Sequence, residues 1–363
     1  MPPMIRFRVL LCVVLPLFSL DARELPILVG TFPQNGSRGV YAADFNDETG
    51  AITRVRVVAE TKDAGFLVEH PTKPVIYACG GKGITAFALG KDCSLQELGS
   101  ASGNGGGPCH VAVSPDGKIA AIANYGDGSV STFLLEQDGK PAFGAVVRHS
   151  GKSVHPERQT GPHAHGVYFS GDTLFVPDLG LDKIMAYVVD HATGSLSPAA
   201  PPFTATAPGA GPRHLSFHPS KPWVYGVNEL NNTVTFYLHD GARLTPRQSV
   251  TTLPDGFDKF TKAAEVEVHP NGNFVYVSNR GHESIAVFRV DPASGNLTAL
   301  GQTPVVVDTP RHFIIAPGGK FLLAAGEQSG TIHVFALDPA SGKLTSTGHS
   351  ASVPTAVCIL FPR

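Results

Sequence analysis

The chain has 363 residues, 42% hydrophobic and 16% charged, with 40 glycines and 30 prolines. So many turn formers, with no long helical periodicity, exclude a helical bundle or coiled coil and indicate an all-β protein. A formal net charge of −2 leaves no basic footprint for nucleic acid or for an anionic membrane surface.

Residues 1–22, MPPMIRFRVLLCVVLPLFSLDA, read as a signal peptide. Arg6 and Arg8 form a basic start, and the run from Val9 to Leu20 is apolar apart from Ser19. That run is too short to span a bilayer, and Ala22 stands where cleavage would follow. The expectation is an exported protein, periplasmic or extracellular, with one domain over 23–363 and no membrane attachment after cleavage. The alternative is an uncleaved anchor. Cleavage would leave Cys79, Cys93, Cys109 and Cys358, which permit three pairings and show no metal-ligand spacing. Four small buried apolar residues is the plainer reading.

From residue 27 the chain repeats. ILVGTFPQNGSRGVYAADFNDETGAIT opens with what is the second strand of every later copy. Further copies start near Gly65, Cys109, His165, Arg213, Ala264 and Arg311. The clearest is AEVEVHPNGNFVYVSNRGHESIAVFRVDPASGNLTAL, four short β-branched and aromatic runs separated by turn residues. A turn proline marks the phase at Pro71, Pro115, Pro219, Pro270 and Pro317, and the copy near Gly171 has lost it. A four-strand unit recurring every ~40–50 residues predicts propeller blades. The expected fold is an all-β, seven-bladed β-propeller with four antiparallel strands per blade. Residues 353–361, VPTAVCILF, form a surplus strand that would close the first blade and remove both open edges.

This topology sorts the loops. The turns HPNG, SPDG, APGG and DPASG fall on one face and read as structural. The start of each innermost strand and the connection between the second and third strands fall on the other. There GPHAH, GPRH, AAE and TPRH meet NEL, NRGHE and GEQ, collecting histidines, arginines and glutamates at one mouth. His110, His214, Glu265 and His312 share one repeat position, so the histidines there read as a blade device. The preceding row, Cys109, Arg213, Ala264 and Arg311, varies in chemistry. Glu229, Arg280 and Glu327 occupy second-to-third-strand connections. Converging charge of this kind favours a site.

With IANYGDGSVSTF, HPERQTGPHAHGV, GPRHLSFHP, VNEL and SNRGHESIAVF in this order, the chain resembles the seven-bladed propeller lactonases. That family includes the cytosolic 6-phosphogluconolactonase of this fold and the carboxy-cis,cis-muconate cyclases. The resemblance implies a catalytic set of His165, Arg213, Glu229 and Arg280, with His163 a competitor for the first. His163, Glu265, His282 and Arg311 are expected to bind substrate. No metal or cofactor is expected, and the partner is a small lactone or acid. The expected function is a lactonase-like hydrolase that opens a sugar or carboxylated lactone without metal. Two alternatives remain open: a cycloisomerase of carboxymuconate type, and a non-catalytic extracellular binding propeller with YVTN-like repeats. A calcium site drawing on Asn228, Glu229, Glu265 and Asn279 is a further possibility. No G-x-S-x-G elbow is present, so His165 is read as general base, Glu229 as its orienter or as holder of the water, and Arg213 and Arg280 as acid and oxyanion binders.

Overall fold

The computed structural model describes residues 23–61 and 64–363, so the expected signal peptide at 1–22 lies outside the described residues. The described residues form 28 strands in seven four-stranded antiparallel sheets. The innermost strands of the second to seventh blades are Phe66–Glu69, Pro108–Val113, Tyr168–Ser170, Pro212–Phe217, Lys262–Val268 and Pro310–Ile315. The first blade takes its innermost strand from the far end of the chain. Ala356–Leu360 pairs with Glu24–Thr31, with Leu28 opposite Leu360 and Val29 opposite Ile359. The surplus strand therefore closes the ring as expected.

Sequence dictates the layering within each blade. Second strands such as Ile119–Asn124 and Phe321–Gly326 are buried along their whole length. Both of their faces are covered by neighbouring blades, so they read as continuous apolar runs rather than alternating ones. Outermost strands such as Leu297–Pro304 bury only one residue, Leu297. The core is accordingly divided into seven apolar clusters, one between each pair of adjacent blades.

Neighbouring blades are also clasped through their turns. His70, His218 and His269 each precede a turn proline, and each Nδ1 accepts backbone N–H groups of its own turn. Nε2 must then carry the proton, and it donates to Gly117, Gly272 or Gly319 of the next blade at 3.0–3.1 Å. Gly272 shows why that partner is glycine. Its φ is +76°, and a Cβ there would stand 2.5 Å from the His218 ring. The Pro/Gly turns thus build the scaffold.

At the opposite face the innermost strands carry bulges. Pro212 pairs with Asn228 and His214 with Val227, leaving Arg213 extra; Cys109 and Arg311 are extra in the same way. Strict alternation would send two consecutive residues to opposite sides of a strand. A bulge re-aims one of them. Residues of both rows, Cys109, Arg213 and Arg311 of one and His214 and Glu265 of the other, consequently reach one cavity near the axis.

Candidate active site

The site is built around one carboxylate. Glu229 lies just past the second strand of the fifth blade, Trp223–Asn228, and is only 2% exposed. Arg280, ending the second strand of the sixth blade, donates from Nη2 to Glu229 Oε2 at 2.7 Å. Arg158 donates to Oε1 at 2.7 Å, and Arg213 Nε lies 3.4 Å from Oε2. His165 Nε2 stands 4.0 Å from the same oxygen. Three guanidiniums and one imidazole from four chain segments therefore surround a single anion.

The arginines are fixed from behind. Arg213 Nη1 donates to the Ala264 carbonyl at 2.6 Å and Arg280 Nη2 to the Ala263 carbonyl at 3.1 Å. Arg158 also donates to the Tyr125 hydroxyl at 3.0 Å. Its loop, between the third and fourth blades, is tied down at Asp182. That carboxylate accepts from Gln159 at 2.8 Å and from the Gly209 and Gly211 amides at 2.7 Å. Asp178 completes the anchorage, with His149 Nδ1 at 2.5 Å and the His163 amide at 2.8 Å.

Charge states follow from these contacts. Burial works to raise the Glu229 carboxyl, but Arg280, Arg213 and Arg158 outweigh it and hold the group well below the usual carboxylate range. Glu229 is thus a permanent anion and a poor base. Burial, reinforced by Arg213, His214 and Arg311, pushes His165 well below its ordinary value, so its ring is neutral. Its buried Nδ1 has no hydrogen-bond partner. Burial and the neighbouring Arg280 and Arg311 bring Arg213 down to about 10, which keeps it protonated at neutral pH.

Below the arginines, the blades converge on the axis. Phe66, His110, Tyr168, His214 and His312 form a belt of rings, with centroids 4.2 Å apart for Phe66 and His110 and 5.0 Å for His110 and His214. Glu265 completes it, bonded to His214. A narrow cavity of about 10 Å³, room for roughly one water, opens between belt and mouth, lined by Phe32, Cys109, Arg213, His214, Glu265 and Arg311 among others. A larger depression of about 270 Å³ beside Ala205, Asn228 and Arg247, on the flank of the fifth blade, lacks converging charge.

Of the residues expected to be catalytic, all four meet here. Among the expected substrate binders, Glu265 and Arg311 line the cavity, Arg311 pairing with Glu327 at 3.4 Å. His163 stacks on Tyr125, 4.5 Å between centroids, at the edge of the site. His282 stands apart: it bonds Ser284 and packs against Phe257 rather than the Arg–Glu cluster. Tyr125 and Phe32, which follow their second strands just as Glu229 and Glu327 do, were missed because neither carries a charge; Arg158 was missed because it sits in a loop with no counterpart in other blades. The repeat gives such a residue no phase. The four cysteines at 79, 93, 109 and 358 are free. Among the described residues no group of three or more His, Cys, Asp or Glu side chains is arranged to hold a metal ion.

Comparison with known proteins bears on this geometry. A family model described as lactonase, 7-bladed beta-propeller, matches residues 26–361. A 6-phosphogluconolactonase of Bacillus subtilis is 33% identical over 298 residues, 79% of this chain and 83% of that protein. One from Formosa agariphila is 30% identical, covering 80% and 86%. The solved structure of a periplasmic gluconolactonase from Pseudomonas aeruginosa superposes with a TM-score of 0.88 at 31% identity, over 94% of this chain and all of that one.

Proposed function

The chain belongs to the seven-bladed β-propeller lactonase family and is a lactone hydrolase; from that premise we propose that the Glu229 cluster opens a small polyhydroxylated or carboxylated lactone. The observation that carries this reading is the grip of Arg280, Arg213 and Arg158 on one buried carboxylate beside a neutral histidine.

Ester hydrolysis needs a positioned water, a proton acceptor, and positive charge where the oxyanion develops. Arg213 and Arg280 supply that charge, pre-oriented by Glu229 and by backbone carbonyls, so little reorganisation is needed during reaction. Glu229 is too strongly held as an anion to take a proton. His165, neutral with a free ring nitrogen, takes it from the water. Arg311 and Arg158, both part-exposed at the mouth, hold the acidic or hydroxylated part of the substrate. Glu265 and His163 flank the substrate, and His282 reaches it only where the substrate extends to the rim. No step in this scheme requires a metal.

A panel of sugar, aliphatic and aromatic lactones, assayed with and without chelator, tests the reading. Turnover should favour hydroxylated or carboxylated lactones and be unchanged by chelator. Preference for unsubstituted aliphatic lactones, or loss of activity on chelation, would overturn it.

We also propose export, with the mature chain starting close to Arg23, from the basic and apolar pattern of residues 1–22. An exported enzyme would meet unphosphorylated lactones rather than a cytosolic sugar phosphate. N-terminal sequencing from the native host decides this, and a mature protein retaining Met1 or Pro2 would restore the phosphorylated substrate.

A further inference from the structure

Three histidines occupy one repeat position, and they do not do the same work. His110 Nδ1 accepts the amide of Val167 in the next blade at 3.4 Å, and His312 Nδ1 accepts that of Ile359 at 3.3 Å. Both link one blade to the next. His214 would find its equivalent partner in Val266, but that amide donates to Glu265 Oε1 instead, at 3.1 Å. His214 Nδ1 faces the Glu265 carboxylate, 2.9 and 3.0 Å from its two oxygens.

Those distances fix the tautomer. Arg213 Nη1 also lies 3.2 Å from His214 Nδ1 and would favour a lone pair there. Two shorter contacts to carboxylate oxygens favour a proton, so Nδ1–H donates to Glu265. Nε2 is then a bare acceptor, and it is buried without a partner. Both residues line the axial cavity with Arg213 and Arg311. The His214 ring is 5.3 Å from that of His165, centroid to centroid. A carboxylate-oriented imidazole with its far nitrogen free is the arrangement that moves protons in hydrolytic dyads and triads.

We propose that His214, held by Glu265, is a second acid–base group of the site and delivers the proton to the ring oxygen as the lactone C–O bond breaks. The inference rests on the lactonase reading and deepens it. Water gives one proton to His165 and its hydroxyl to the carbonyl carbon, forming the oxyanion. The imidazolium on His165 passes its proton to His214 Nε2; arginines face both rings, but only His214 has a carboxylate, Glu265, bonded at 2.9 Å to stabilise the new charge. The carbonyl re-forms, the ring C–O bond breaks with its electron pair on oxygen, and His214 protonates that oxygen. Both histidines return to neutral, and the hydroxy acid loses its carboxyl proton to solvent. His214 is catalytic in this scheme; Glu265 is a positioning residue.

The test uses the full chain and two lactones. Glucono-δ-lactone leaves as an alkoxide that needs a proton, whereas dihydrocoumarin leaves as a phenolate that scarcely does. His214→Ala is expected to lower kcat on gluconolactone at least ~10²-fold, with KM held within about threefold. On dihydrocoumarin the loss should stay under about tenfold. Glu265→Gln, which still accepts from Nδ1 but holds no charge, should show the same leaving-group bias with smaller losses. His110→Ala, at the same repeat position, should lower thermal stability and keep kcat within about threefold. If His214→Ala does not fold, His214→Gln and Glu265→Gln carry the comparison. If the wild type does not turn over dihydrocoumarin, the contrast between His214→Ala and His110→Ala on gluconolactone decides. Equal losses on both lactones, or a His214→Ala that behaves as His110→Ala does, would overturn the proposal. A wild type inactive on every lactone brings down the lactonase reading instead, a separate outcome.

Discussion

The two ends of the ring use histidine in opposite ways. On the turn face His70, His218 and His269 repeat one set of bonds, Nδ1 to their own turn and Nε2 to a glycine carbonyl next door. At the mouth His110, His214 and His312 repeat in position, but their partners change from a backbone amide to a carboxylate and back. Repetition with constant partners is what scaffold requires, since every blade must meet its neighbour alike. Repetition with altered partners marks a position released from that duty. The distinction lies in the bonds and not in the residue type.

The largest expected effects break this contrast from the mouth. Arg213→Ala and His165→Ala should each lower kcat/KM at least ~10²-fold, the usual loss of an oxyanion donor or a general base. Both should leave a cooperatively folded protein, because the apolar clusters between blades are untouched. Activity and thermal melts on the purified variants provide the check. Should His165→Ala retain wild-type turnover while Glu229→Gln abolishes it, Glu229 takes the role of base.

A turn-face change should do the reverse. Gly272→Ala forces a side chain into a φ of +76° and drives its Cβ to 2.5 Å from the His218 ring. A cost of roughly 1–3 kcal/mol is expected from strain and overpacking. Urea unfolding should show it, with kcat/KM within about twofold of wild type. An intact midpoint would mean that the clasp contributes little to holding blades together.

The fold was legible because it is periodic. Turn prolines set the phase, and the missing strand at one end matched the surplus strand at the other. The site was legible where it shared that phase: Arg213, Glu229 and Arg280 hold fixed places in their blades, and topology alone brings them to one face. Arg158 was not, although it touches the same carboxylate, because its loop has no copy to compare. His214 is harder to place for the opposite reason. Its periodicity suggests scaffold, and what separates it from His110 and His312 is that its Nδ1 meets a carboxylate at 2.9 Å where theirs accept backbone amides, His312 having only its Nε2 3.8 Å from Glu265. Nor does periodicity reveal a bulge, so the shared orientation of Arg213 and His214 needed the observed register.

A smaller effect sharpens the scaffold side of the mouth. His312→Ala should lower the melting temperature while leaving turnover within about threefold, since it removes a link to the closing strand rather than a reacting group. Enzyme assays alongside thermal melts separate the two readouts. A collapse in turnover at unchanged stability would move His312 into the chemistry.

The last expectation concerns acid. Burial pushes His110, His165, His214 and His312 below their ordinary value, so all four stay neutral in the folded protein as pH falls through ~6.5. The unfolded chain binds protons at those histidines first, and stability rises with pH wherever the unfolded state holds more protons. Stability is therefore full above ~6.5 and declines below it, by up to about 1.4 kcal/mol per pH unit for each histidine until its folded-state value is reached. Glu229 adds a second decline of the same sign below the ordinary carboxylate range, since its folded value is the lower one. Urea midpoints at pH 7.5 and 5.5 measure the first decline. Burial also lowers His70, His218, His282 and His333, so His110→Asn combined with His312→Asn should lessen the decline by removing two of eight contributing groups. A slope unchanged in that double variant would mean that His110 and His312 already titrate in the folded state, and that the acid response comes from the other buried histidines.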